Sequence, residues 1–130
     1  MKTLFSISIL LFLLSSCTEN SNILTPEEAD IFRQVAYNSL NERSKESIIG
    51  DWQSAPVNSG RYHSDRNSNL IIIDSERSIP FILKDKQTEL NEDQVLVAVT
   101  FNTTDDPLLG PITTIIDRNS RTIIGWVGRL

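Results

Sequence analysis

QVLVAVTFN, residues 94–102, alternates without interruption. Val95, Val97, Val99 and Phe101 fall on one face of an extended chain, with Leu96, Ala98 and Thr100 on the other, because successive strand side chains point to opposite sides. It is the clearest strand in the chain, and the segments around it read the same way. Downstream, PITTIID (111–117), RNS and RTIIGWVG (121–128) form a hairpin with Asn119 and Ser120 near its tip. Upstream, WQSAPV (52–57), NLIIID (69–74) and IPFILK (79–84) are expected strands, and Pro80 pushes the last of these toward a sheet edge. HSDRNSN and DSERS are expected loops, and DKQTELNED (85–93) a charged loop able to form one helical turn.

Before Gly50 the periodicity is helical. Thr25 can cap, Pro26 suits the first helical position, and Glu28 completes a capping box beside the positive end of the helix dipole. Ile31, Phe32, Val35, Ala36 and Leu40 then share one face, with Arg33, Gln34, Asn38 and Asn41 opposite. This predicts a helix over 26–42, extendable by a turn through SKESI before Gly50 stops it. No internal repeat occurs at solenoid or propeller spacing. One helix followed by strands, without βαβ alternation, predicts an α+β fold: an N-terminal helix packed on a curved antiparallel sheet of four to six strands.

The first residues belong to a different kind of segment. Lys2 is followed by an apolar run from Leu4 to Leu14, then by Ser15, Ser16 and Cys17. A positive start, an apolar stretch and small residues are the order of a secretory signal peptide. The run is about 11 residues, roughly 16 Å as a helix, too short to span a hydrocarbon core of about 30 Å. Leu14-Ser15-Ser16-Cys17 resembles the lipobox of bacterial lipoproteins. That resemblance implies cleavage between Ser16 and Cys17 and a diacylglyceryl group on the Cys17 sulfur, often with a further acyl chain such as palmitate on the new N-terminus. Two or more chains hold a protein on a bilayer where one does not.

The expected organisation is therefore a signal peptide (1–16), a lipidated tether (17–24) and one α+β domain (25–130), on the extracytoplasmic face of the cell membrane. The chain carries 17 acidic and 12 basic residues, a net charge of −5. Loss of residues 1–16 removes Lys2 alone, leaving 17 acidic against 11 basic, or −6. Such a balance is unsuited to phosphate backbones, and no nucleic-acid partner is expected. With Cys17 held by lipid, no cysteine remains for a disulfide, so the domain depends on its own core.

A strand ending in Phe101-Asn102-Thr103, followed by DDPLLGPITTIIDRNSRTIIGWVGRL, resembles small lipoproteins of Gram-positive bacteria. The helix entry TPEEA and the IIGDW step fit the same outline; the resemblance implies no particular activity. More distantly, the hairpin Asp117–Gly125 is similar to PepSY-type modules of the cystatin-like superfold, although Asp-Arg-Asn-Ser-Arg stands where those hairpins carry glycine. This likeness implies regulatory or inhibitory binding, sometimes of peptidases.

NTTDDPLLGPI (102–112) is the most pointed segment. Its commonest reading is a strand connection with Leu108 and Leu109 folded into the core. A second reading is a partner-binding loop of Asp105, Asp106, Leu108, Leu109 and Gly110 that presents the leucines to an envelope protein. The third, a calcium site on the paired carboxylates, lacks the ligand series such loops carry. Gly110-Pro111 requires a turn and suggests positive φ.

No catalytic constellation emerges. His63 lies near Asp65 and several serines, but no nucleophile motif accompanies it. One histidine without a usable cysteine is too little for a typical zinc site, and no cofactor is expected. Trp52 and Trp126 are expected as core, or alternatively as the lining of a ligand groove between helix and sheet. Arg118, Arg121 and Arg129 give the C-terminal hairpin a basic edge, suited to docking or to protecting that edge from pairing. The expected role is non-enzymatic: interaction or inhibition first, a small-ligand or substrate-binding accessory protein second.

Overall fold

The computed structural model describes residues 23–104 and 106–129. Ser16, Cys17, the apolar run and most of the expected tether lie outside the described residues, as do Asp105 and the side chains of Asp106 and Pro107.

Helix α1 spans Pro26–Ser39 and starts at the expected capping box. The Thr25 hydroxyl accepts from the Glu28 amide at 3.1 Å, and the Glu28 carboxylate accepts from the Thr25 amide at 3.4 Å. Phe32 and Ala36 form its buried stripe. The helix ends sooner than its periodicity predicts. Leu40 turns extended, and Asn41 caps a second helix, α2 (Glu42–Ser47), by accepting from the Ser44 amide at 2.8 Å. A side chain that satisfies an orphan N–H starts a helix better than it continues one.

Asp51 has the same effect. Its carboxylate accepts from the Gln53 amide and caps a 3₁₀ turn, Trp52–Ser54. The strand expected over 52–57 is thus replaced by a turn, with only Val57 entering the sheet.

Six strands follow: β1 (Val57–Asp65), β2 (Ser68–Ile72), β3 (Ser78–Leu83), β4 (Val95–Phe101), β5 (Ile112–Asp117) and β6 (Ile123–Trp126). A one-turn helix, α3 (Asp106–Leu109), lies between β4 and β5. All pairings are antiparallel, in the order β1-β2-β3-β6-β5-β4, and β4 returns to β1 to close a barrel. The expected α+β class and single main helix hold, and the curvature of the sheet goes as far as closure. HSDRNSN is not a loop. Its ends belong to β1 and β2, and only Arg66 and Asn67 turn, both at positive φ (48° and 70°), as a tight two-residue hairpin matched to strand twist requires.

Closure divides the apolar residues into two cores. Tyr62, Ile71, Phe81, Leu96, Ala98, Ile115 and Ile124 pack together within the barrel. Val97, Val99, Phe101 and Ile116 face outward and pack with Phe32, Ala36 and Ala55 under α1. The alternation of β4 is the partition between them, so this strand is buried on both faces. Each large apolar side chain buried this way contributes about 1.5–3 kcal/mol.

The opposite side of the barrel is thinner. The β3–β6 register consists of Ile82↔Trp126 and Leu83↔Gly125, extended by a hydrogen bond from the Lys84 amide to the Ile124 carbonyl at 2.8 Å. Gly125 makes this approach possible, since a Cβ there would run into the Ile82 carbonyl and the Phe81 ring. Pro80 pairs with Leu70 on β2 and lies beyond the β6 register, so β3 is locally an edge there, as proline requires.

Candidate functional site

The segment entering α3 is fixed from behind. An isolated bridge joins Ile48 to Thr103, the Ile49 amide donates to the Asn102 carbonyl at 2.9 Å, and the Thr104 amide donates to the Ser47 carbonyl at 2.8 Å. Beyond α3, Gly110 turns the chain at φ 78°, the positive value expected of it. Arg129 then holds this turn to the C-terminal segment. Its Nε and Nη2 donate to the Gly110 carbonyl at 3.1 and 2.8 Å, and Nη2 also donates to the buried Thr103 hydroxyl at 3.1 Å.

On this support Leu108 is 83% exposed and Leu109 39% exposed. The reading that folded both leucines into the core is overturned: the two cores fill without them, and α3 turns them outward. Among the described residues no group of three or more histidine, cysteine, aspartate or glutamate side chains could hold a metal ion.

Beside the Arg129 clasp a cavity of about 530 Å³ opens between the end of α1 and the outer face of β3, β6 and β5. Leu40, Ile82, Ile112, Ile123, Trp126 and Val127 give it apolar walls. Trp126 is 44% exposed and Ile82 54%, so the expectation of a core tryptophan fails at Trp126. β6 turns that side chain outward with Ile82, its partner across the seam. Trp52 is elsewhere. It stacks on Tyr37 with ring centroids 4.4 Å apart, and Lys45 lies 5.0 Å from the Tyr37 centroid on α1. A groove shared by both tryptophans does not form. A second hollow, about 570 Å³, lies beside Thr25 and Ser59. Its cation, Arg33, already holds the Ala55 carbonyl and Asp30, each at 2.7 Å.

The expected basic edge is mostly engaged within the fold. Arg118 reaches Glu28 at 3.2 Å and the Ile23 carbonyl at 3.3 Å, and Arg129 is held at Gly110. Of the three, Arg121 is exposed, at φ 58°, and makes no ion pair among the described residues. His63 is on β1, not in a loop, and its Nδ1 lies 2.9 Å from Glu92. The Glu92 carboxylate also accepts from the Ser64 amide; that bond, then the His63 contact, holds its pKa below the ordinary value.

Asp117 is a polar residue that the sequence did not single out. It is buried at the end of β5. Its Oδ2 accepts from the Ser120 amide and hydroxyl, and its Oδ1 from the Gln94 side chain at 2.8 Å. Burial alone would raise its pKa, but the hydrogen bonds from Ser120, Gln94 and Asn119 outweigh that effect and lower it. The arrangement shapes a turn. Asp-x-x-Ser after a strand was the available signal.

Comparison of the chain with protein-family models, with curated proteins and with solved structures finds no match.

Proposed function

We propose that the protein is an extracytoplasmic interaction module held on the cell membrane through a lipid on Cys17. In this reading α3 and the last hairpin dock on an envelope protein, in an inhibitory or regulatory contact without catalysis. The observation that carries it is the outward presentation of Leu108 and Leu109 on a turn fixed by Gly110 and Arg129. Large apolar side chains held rigidly in water favour a partner that covers them. The Asp117–Gly125 hairpin, which resembles PepSY-type modules of the cystatin-like superfold, supports the regulatory side of the reading. Capture from intact envelope tests it. The wild-type protein should retain a partner that the double variant Leu108→Ser, Leu109→Ser loses, and equal capture by both would end the proposal. For the anchor, Cys17→Ser should release the protein from the membrane fraction, and undiminished retention would exclude a lipid at Cys17.

A second reading, a small-ligand-binding accessory lipoprotein, is favoured by the apolar cavity at Trp126. Its size lies within the range of ligand sites, about 300–1,000 Å³.

A further inference from the structure

We infer that the cavity beside Trp126 is a site for a single-chain amphiphile with an anionic head, a long-chain fatty acid. This rests on the ligand-binding reading and names the ligand class.

The first argument is the division of charge. Within a chain of net charge −5, the described residues lining this cavity include Lys84 and Arg129 but no aspartate or glutamate. Lys84 is exposed and makes no ion pair among the described residues, so its ammonium can meet a carboxylate without first breaking a contact. Arg129 adds a second positive charge at the same cavity while it holds Gly110. Apolar walls with unopposed cations fit a ligand that is apolar along its length and negative at one end.

The second argument concerns what the walls do not offer. A peptide brings an amide N–H and a C=O at every residue, and each needs a partner once covered. The hydroxyl of Ser39 already donates to the Ala36 carbonyl, and that of Thr113 is paired with Thr100. The Val127 amide donates to the Thr113 carbonyl, and Ile82 and Trp126 face each other in the sheet. Apart from the Thr114 hydroxyl and the two cationic heads, the lining side chains that remain are aliphatic groups and one indole, and an acyl chain asks nothing more of its surroundings.

The test is calorimetric titration of the full chain carrying Cys17→Ser with three probes of equal chain length: laurate, dodecanol and dodecyltrimethylammonium, each below micelle formation. Laurate should saturate one site and bind more tightly than either of the others. Lys84→Glu should weaken laurate about five-fold, the scale of an exposed ion pair. Ile82→Asp, at a half-exposed position, should abolish binding while the melting temperature stays within a few degrees of the parent. Equal affinity for all three probes, lost on Ile82→Asp, would overturn the anionic assignment and leave an apolar ligand site. No saturable binding of any probe would remove the ligand reading as well. Laurate binding that ignores Ile82→Asp would place the ligand elsewhere and overturn the inference. So would a concentration-dependent dimer that laurate cannot dissociate, because a second copy would then cover the groove.

Discussion

The β4–β5 pair and the β3–β6 pair are both antiparallel contacts of one barrel, yet they are built on opposite terms. β4 and β5 run together from Leu96↔Asp117 to Phe101↔Ile112, with side chains buried on both faces: one core within the barrel, another beneath α1. β3 and β6 meet at Ile82↔Trp126 and Leu83↔Gly125, where Ile82 and Trp126 stay about half exposed on the outer face. The first contact supplies seven of the fourteen buried apolar residues among those described. The second closes the barrel with a glycine and leaves its outer face available to another molecule. In the proposed reading, stability thus rests on the β4–β5 contact and recognition on the β3–β6 contact, with the β6–β5 pairing between them.

Phe101→Ala should show the contrast at its largest. Removing a buried aromatic from the helix-side core should cost about 3–5 kcal/mol in urea unfolding, since the site is closed on both sides. At the seam, Gly125→Ala should cost less, toward the upper end of the roughly 1–3 kcal/mol typical of overpacking, because the added methyl meets the Ile82 backbone. A neutral effect there would mean that the seam is looser than its register indicates.

Asp117→Asn should cost about 1–2 kcal/mol, because an amide cannot accept from both Ser120 and Gln94. It should also flatten the acid limb of the stability curve. The folded carboxyl has a pKa below its ordinary value of 3.8, so the unfolded chain takes up the proton more readily. This contribution is complete above the unfolded value and is lost as pH falls through the lower folded value. Unfolding midpoints measured from neutral pH down through pH 3.8 will show whether the wild type loses more than the variant. Leu108→Ser should do least to the fold, within about 0.5 kcal/mol, as expected for an exposed position. A large loss of stability would show that α3 supports the domain as well as presenting a surface.

Features set within a few residues were legible in the sequence. TPEE contains both halves of its capping box, and QVLVAVTFN displays its alternation openly. The errors have local causes too. Trp52 to Val57 looked strand-like because apolar residues outweighed the Asp51 cap that turns the chain. HSDRNSN looked like a loop because the outward face of β1 is polar; Gly60 and Tyr62, alternating inward, were the signal. Closure itself was not legible, because it joins β1 to β4 and β3 to β6, far apart along the chain. The candidate surface followed the same rule. Leu108 and Leu109 stood out by type, but their exposure depends on where α3 sits, and Trp126 reaches solvent because β6 turns it outward beside Ile82.

Glu28 closes the capping box of α1 and also receives Arg118 from the hairpin turn, while the same guanidinium holds the carbonyl of Ile23. Any pull transmitted through the residues ahead of Ile23 therefore reaches the tip of the β5–β6 hairpin as well as the first turn of the helix. Tension on such a tether would be divided between the two ends of the sequence from its first step, and the helix would not be unzipped alone.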